Sequence, residues 1–358
     1  GDDDKWVRAA SSTAAQRFIG YDQVECRTHV AALRHLGEGR TAVILEETPF
    51  YAESGGQVSD RGTIEGDGWR IDVDDVKKFD GRIAAIGVVH GTVDFGAVTA
   101  RVPALRRRDT ERNHTGTHLL HAALRKVLGE HVHQAGSVVE PDRLRFDFTH
   151  HGPMKPEQIA QVEHWVNQAI WQNAAVSITE RPYAEAVAAG AMALFGEKYG
   201  DVVRVVDIPG LSTELCGGCH VSNTGLIALF RVVSESGVSA GVRRIVAVTG
   251  PKAFELMHGR EQALEAVAGR FKVNLHAVTA EVLEKRVDTL LAEKKALEKQ
   301  VAELRRGGGG GDAAGGGLLA QAAAVGTHKL LVASVAAPDV KELQAIGDGV
   351  RDGIGSGV

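Results

Sequence analysis

Two histidines and a short cysteine–histidine phrase far downstream are the residues in this sequence best suited to chemistry. His114 and His118 stand at i and i+4, just before Leu119, Leu120, Ala123, Leu124, Val127 and Leu128, which recur at helical spacing up to Gly129. On a helix that spacing projects both imidazoles from one face. In Cys216-Gly217-Gly218-Cys219-His220, glycines let the backbone turn so that a thiolate and an imidazole converge. Three imidazoles and one thiolate make a donor set suited to Zn2+. Taken alone, a histidine pair of this kind is more often ordinary helix surface; the Cys-x-x-x-His phrase is what points to a metal. Cys219 leaves two readings open, a rival to Cys216 as ligand or a small buried apolar residue, while Cys26 reads as structural.

Zinc held by three protein ligands keeps a position for water or a carbonyl and suits ester or amide hydrolysis, whereas four ligands close the site and make it a scaffold. No glutamate follows His114, so the metalloprotease pattern His-Glu-x-x-His is absent, which argues against a protease. Arg106, Arg107, Arg108 and Arg112 precede the histidine pair, and Arg243 and Arg244 follow a glycine-containing turn. Such positions serve phosphate contact or simply a solvated charged edge. Lys294, Lys295 and Lys299 read as the solvent face of a later helix.

The elements that must position these groups are of mixed type. From about residue 18 to 105, short apolar runs such as Thr41 to Leu45, Trp69 to Val73 and Ile83 to Val93 alternate with turn signals, the pattern of a small β-barrel-like subdomain. From 106 to 250 the expectation is an α+β core that holds the zinc: the helix of the histidine pair, a half-buried strand through Leu144, Phe146 and Phe148, a second helix after Pro156, and strands at Val202 to Ile208, Leu226 to Val233 and Arg244 to Val248. Residues 251–306 are almost free of helix breakers and predict a long helical element or hairpin. Leu283, Leu290, Leu297 and Leu304 repeat there at heptad spacing, which suits an amphipathic helix packed on a neighbour or a homodimer through the 283–304 heptads. Residues 307–317 read as a glycine-rich linker, 318–358 as the start of a further globular domain, and 1–17 as a linker or tag remnant. The missing initiator Met and the glycine-rich end suggest a piece of something longer.

Composition narrows the class. A net charge of −5 argues against a protein that grips nucleic acid over its whole surface but not against a local basic patch. Three cysteines, unevenly placed, are too few for a secreted disulfide framework. With no apolar run near the roughly 20 residues a membrane helix needs, no membrane partner is expected, and the location expected is cytoplasmic.

Arg112-Asn113-His114-Thr115-Gly116-Thr117-His118-Leu119-Leu120 and Glu214-Leu215-Cys216-Gly217-Gly218-Cys219-His220 resemble the two signatures of the alanyl-tRNA synthetase editing domain. Thr48 to Gln57 resembles its Gly-Gly-Gln segment, Gln134-Ala135-Gly136-Ser137 its glutamine segment, and Gly241-Val242-Arg243-Arg244-Ile245 its arginine turn. The resemblance covers about residues 18 to 250, continues into the start of the same family's C-terminal domain, and lacks the aminoacylation domain. It implies that His114, His118, Cys216 and His220 bind Zn2+, that Gln134 lies in an editing pocket, and that the substrate is tRNA(Ala) mischarged with Ser or Gly. Arg243 and Arg244 are the tRNA contacts it suggests. A free-standing editing protein and a non-catalytic, zinc-braced tRNA-binding module share these motifs. One departure stands out: the family usually has Thr where this sequence has Cys219.

Overall fold

The computed structural model describes residues 5–9, 15–193, 199–307, 316–335 and 340–354. Two compact units divide the chain, residues 1–260 and 261–358. Besides the short pieces Val7–Arg8, Arg17–Phe18 and Glu47–Thr48, the first begins with six longer strands: β1 (Glu25–Gly37), β2 (Arg40–Leu45), β3 (Gly62–Gly66), β4 (Trp69–Phe79), β5 (Arg82–His90) and β6 (Ala97–Arg101). They pair antiparallel in the order β1-β2-β5-β4-β3-β6, and β6 returns to β1, closing a barrel with no free edge among these strands. In β4 the buried Trp69, Ile71 and Val73 alternate with Arg70 and Asp72. A bulge between Val73 and Asp75 then shifts the register, and Val76 is the next buried residue. Val30, Leu33, Val43, Leu45, Ile64, Ile71, Ala85 and Ala100 belong to the barrel core. Several strands are buried on both faces, since Ala32, Ala42, Ile44 and Ala84 pack with Trp6 and Phe79 as a separate cluster.

Helix α1 (Ala104–Leu128) follows directly and ends at Gly129, whose φ of 120° is a conformation that favours glycine. It begins earlier than its apolar spacing indicates, because its first two turns carry mainly charged side chains. A second antiparallel sheet has the order β7 (Gln134–Val139), β8 (Leu144–Thr149), β13 (Val242–Thr249) and β12 (Phe230–Ser239). Helix α2 (Pro156–Trp171) begins with proline in its first turn. A three-stranded sheet, β9 (Ser177–Pro182), β10 (Val202–Ile208) and β11 (Ser212–Leu215), completes the frame. Leu119, Leu120 and Leu124 of α1, Phe146 and Phe148 of β8, Val162 and Val166 of α2, and Phe230 of β12 share one core. Fully burying such a side chain contributes about 1.5–3 kcal/mol.

The apolar run from Leu226 to Val233 is not one strand. A 3-10 turn occupies Thr224–Ile227, Ala228 takes φ 68°, and β12 starts only at Phe230. Further along, α3 spans Tyr183–Ala188, α4 spans Gly250–Arg270 and α5 spans Ala280–Gly307. On α5, Leu290, Leu297 and Leu304 are exposed. Of the expected linker at 307–317, residues 308–315 lie outside the described residues. No helix among the described residues is long and apolar enough to cross a membrane.

Candidate metal centre

Helix α1 is pinned where it carries the histidines. Asn113 Nδ2 donates to the carbonyls of Glu140 and Pro141, and its Oδ1 accepts from the Thr249 hydroxyl, which fastens this turn to the β7–β8 connection and to β13. The Cys216–His220 loop arrives from β11 and is fastened twice. Arg204 of β10 donates to the carbonyls of Cys216 and Gly218 at 3.0 and 2.6 Å, and the Tyr21 hydroxyl donates to the Gly217 carbonyl at 2.7 Å. The Arg204 guanidinium also stacks 3.9 Å over the Tyr21 ring.

These supports bring one donor atom each from His114, His118, Cys216 and His220 within 4.8 Å of one another. Cys216 Sγ lies 3.3 Å from His114 Nε2 and 3.4 Å from His220 Nε2. Bonds of about 2.3 Å to sulfur and about 2.0–2.1 Å to nitrogen at tetrahedral angles separate the two donors by roughly 3.5 Å. The spacing therefore fits a small tetrahedral cation.

The outward nitrogen of each ring supports the same reading. Gln57 Oε1 accepts the backbone N–H of Cys219 at 2.9 Å and is 2.7 Å from His114 Nδ1. An amide oxygen only accepts, so His114 Nδ1 bears a hydrogen and its Nε2 is the nitrogen that faces the thiol. Glu214 lies 2.8 Å from His118 Nδ1 and 3.2 Å from His121 Nδ1, and also accepts the Ser212 hydroxyl at 3.0 Å. His220 Nδ1 is engaged by Thr115 Oγ1 at 3.2 Å. With Nδ1 of His114 and His220 hydrogen-bonded and that of His118 beside the Glu214 carboxylate, the Nε2 atoms are left for a ligand; neither nitrogen of the buried His118 ring makes a hydrogen bond among the described residues.

The electrostatics separate the two cysteines. Burial opposes a charge on Cys216, but His114, His220 and His118 outweigh it and hold the thiol well below its ordinary range. Burial pushes Cys219 up to about 11 against the pull of Arg107, so it stays a thiol. It is 2 % exposed and is not a member of the converging group. Burial likewise drives His220 down to about 3, with His114 adding to the effect, which keeps that ring neutral. His118 is held up to about 10 because Glu214 and Cys216 outweigh its burial, and Glu214 is held below the usual carboxylate range because His118 and His121 outweigh its own. A dication bound here would take the place of a proton on His118, beside a thiol that already favours its charged form.

The other sequence-derived candidates lie elsewhere. Gln134 begins β7 and donates to the Ser137 hydroxyl at 3.2 Å. Ser137 in turn abuts Gly56, the neighbour of Gln57. Arg243 and Arg244 are on β13, where Arg243 pairs with Glu235 at 2.6 Å and Arg244 forms a two-point pair with Asp147 at 2.6 and 2.8 Å. Arg107 is only 1 % exposed and is paired with Asp60, so it is a core residue and not part of a basic surface. Gln57, Thr115, His121, Glu214, Tyr21 and Arg204 are the supports that sequence reasoning did not single out. Of these Glu214 was within reach, because strand alternation places it on the same side as Cys216. Replacing Glu214 by Gln is expected to weaken metal binding by about 10–100-fold, as measured by competition with a chromophoric chelator; unchanged affinity would remove Glu214 from the orienting role.

The chain is similar to known proteins. The family described as threonyl and alanyl tRNA synthetase second additional domain matches residues 203–246, which include the Cys216–His220 loop. The family described as tRNA synthetases class II (A) matches residues 3–104, the barrel region. An alanine–tRNA ligase of Geobacillus thermodenitrificans is 44% identical over 96% of this chain, and one of Staphylococcus aureus is 45% identical over 94% of it. The chain spans 39% of the length of each of these relatives. It is thus an alanyl-tRNA synthetase-related protein that carries a second additional domain of the threonyl and alanyl tRNA synthetase type.

Proposed function

We propose that this chain is a zinc-dependent deacylase that removes serine or glycine from mischarged tRNA(Ala). The observation that carries the reading is the convergence of Cys216 with His114, His118 and His220, each imidazole with a separate partner beside its Nδ1. Zn2+ held by three of these residues would supply Lewis acidity toward water or the aminoacyl group at its open fourth position, whereas closure by all four would make it a scaffold. The protein's own residues orient: Gln57, Glu214 and Thr115 fix the rings, and Gln134, held by Ser137, is assigned to the aminoacyl pocket. Arg243 and Arg244 are assigned to the tRNA backbone; each keeps N–H donors beyond those used with Glu235 and Asp147. A second hydrolytic site has a physical reason to exist. Glycine differs from alanine by a methyl worth about 1–3 kcal/mol, and a pocket cannot strongly reject serine for one added hydroxyl. The same reading places the protein in the cytoplasm and assigns the 283–304 heptads to a homodimer.

The test is hydrolysis of seryl-tRNA(Ala) and alanyl-tRNA(Ala) by this chain, beside a His114→Ala, His118→Ala variant of verified fold. Faster clearance of the seryl substrate by the wild type, lost in the variant, is the expected result. A zinc-loaded wild type that binds tRNA but clears neither substrate replaces the deacylase with a non-catalytic binding module.

A further inference from the structure

A second convergence of imidazoles lies outside the centre just described. His131 precedes β7, while His150 and His151 follow β8, and one nitrogen from each lies within 4.8 Å of the others. His131 Nε2 and His150 Nδ1 are 2.9 Å apart. The three rings stand 4.4 to 5.8 Å apart, centroid to centroid.

The backbone holding them is tied down. Thr149 Oγ1 donates to the His131 carbonyl at 2.6 Å and accepts the His133 N–H at 2.9 Å. The Thr149 N–H donates to the His133 carbonyl, and the His150 N–H to the Gly241 carbonyl, each at 3.0 Å. His131 and His151 are exposed and His150 is 9 % exposed, so the open side faces solvent.

We propose that His131, His150 and His151 form a second metal site, for a borderline divalent transition ion of the Ni2+, Cu2+ or Zn2+ class. A hydrogen bond between two imidazoles requires one of them to accept, so at least one of these rings is neutral with its lone pair turned inward. The 2.9 Å separation matches two cis nitrogens on one ion, since bonds of about 2.0–2.1 Å at right angles place them roughly 2.9 Å apart. An all-nitrogen set selects borderline ions over Mg2+ and Ca2+, which take oxygen donors. A phosphate fits less well, because it would need protonated rings. The site is independent of the deacylase reading, since none of its residues belongs to the Cys216 centre.

The experiment is a calorimetric titration of the zinc-loaded full chain with NiCl2, repeated with His151→Ala and His131→Gln. One further equivalent of Ni2+ is expected in the wild type. Loss of a ligand should weaken it by roughly 100-fold or more, given that even the outer partners of ligands are worth about 10–100-fold. His151 is exposed, so its replacement leaves folding unaffected, and matched circular dichroism checks this. The extra equivalent should persist in a His114→Ala, His118→Ala variant, and Cu2+ placed there should show nitrogen coupling by electron paramagnetic resonance. No second equivalent in the wild type, or equal uptake by His151→Ala, overturns the proposal.

Discussion

Gly218→Ala is expected to strip the Cys216 centre of its metal while most of the fold survives. A Cβ at residue 218 would lie 1.9 Å from His114 Cε1, 2.2 Å from His114 Nδ1 and 3.0 Å from Gln57 Oε1. The imidazole has little room to retreat, because His114 is 3 % exposed on a pinned helix and its Nδ1 is bonded to Gln57. The loop is equally constrained by the Arg204 bonds to the carbonyls of Cys216 and Gly218. Either His114 swings away from Cys216 or the loop lifts, and both change a spacing that fits a tetrahedral ion. Zinc affinity should fall by roughly 100-fold or more, since displacing a ligand exceeds the loss of an outer partner, and deacylation should fall with it. The overpacking itself costs about 1–3 kcal/mol of stability. Gly217→Ala is the matched control, because a Cβ there meets nothing within 4 Å. Metal content and thermal melts of the two variants decide the matter: if Gly218→Ala retains zinc as the wild type does, the packing of this loop against His114 is not what forms the centre.

That contrast between adjacent glycines shows where the sequence was legible and where it was not. His114 and His118 could be placed on one helical face because helical spacing is local, and Leu144, Phe146 and Phe148 could be placed on a strand for the same reason. The convergence of Cys216 and His220 on that helix is not local. It depends on Arg204 and Tyr21, neither of which carries a pattern of its own, and only three-dimensional packing distinguishes Gly218 from Gly217. The choice of Cys216 over Cys219 came only from the family resemblance, since both thiols are close in sequence to His220. In the fold it rests on burial, which pushes the Cys219 thiol up to about 11, and on the imidazoles around Cys216. Closure of the barrel depends on β6 returning to β1, a long-range pairing that alternation cannot show, although the β-rich character of that stretch was plain. The run at Leu226 to Val233 read as one strand because its composition is uniform, whereas a positive φ at Ala228 breaks it.

Arg107 was legible only as a charge, and the largest stability effect is expected there. Its Nε donates to Asp60 Oδ1 at 3.2 Å and its Nη2 to the Pro49 carbonyl at 2.8 Å, with further bonds from Nη2 to Asp60 Oδ2 and from Nη1 to the Gly20 carbonyl. Asp60 also accepts the Tyr51 N–H at 2.7 Å. One guanidinium on α1 thus gathers the segment before β1 and both ends of the stretch between Pro49 and Asp60. Arg107→Ala leaves Asp60 as an uncompensated buried charge and two carbonyls without this donor, an arrangement that costs about 3–5 kcal/mol. At about 2–4 °C per kcal/mol for a unit of this size, the melting transition should fall by roughly 6–20 °C. Asp60→Asn in the Arg107→Ala background removes the stranded charge and should recover part of the loss, while the same change in the wild type should destabilise; opposite signs in the two backgrounds are the signature of coupling. Gln57 lies within the stretch that Arg107 holds, so zinc affinity should also drop in Arg107→Ala, by less than in Gly218→Ala, where His114 itself is struck. Urea unfolding of the four proteins of this cycle, with zinc affinity measured in parallel, tests both consequences. An Arg107→Ala protein as stable as the wild type would show that Asp60 is solvated or neutral, and that the barrel and α1 are held together by their apolar contacts alone.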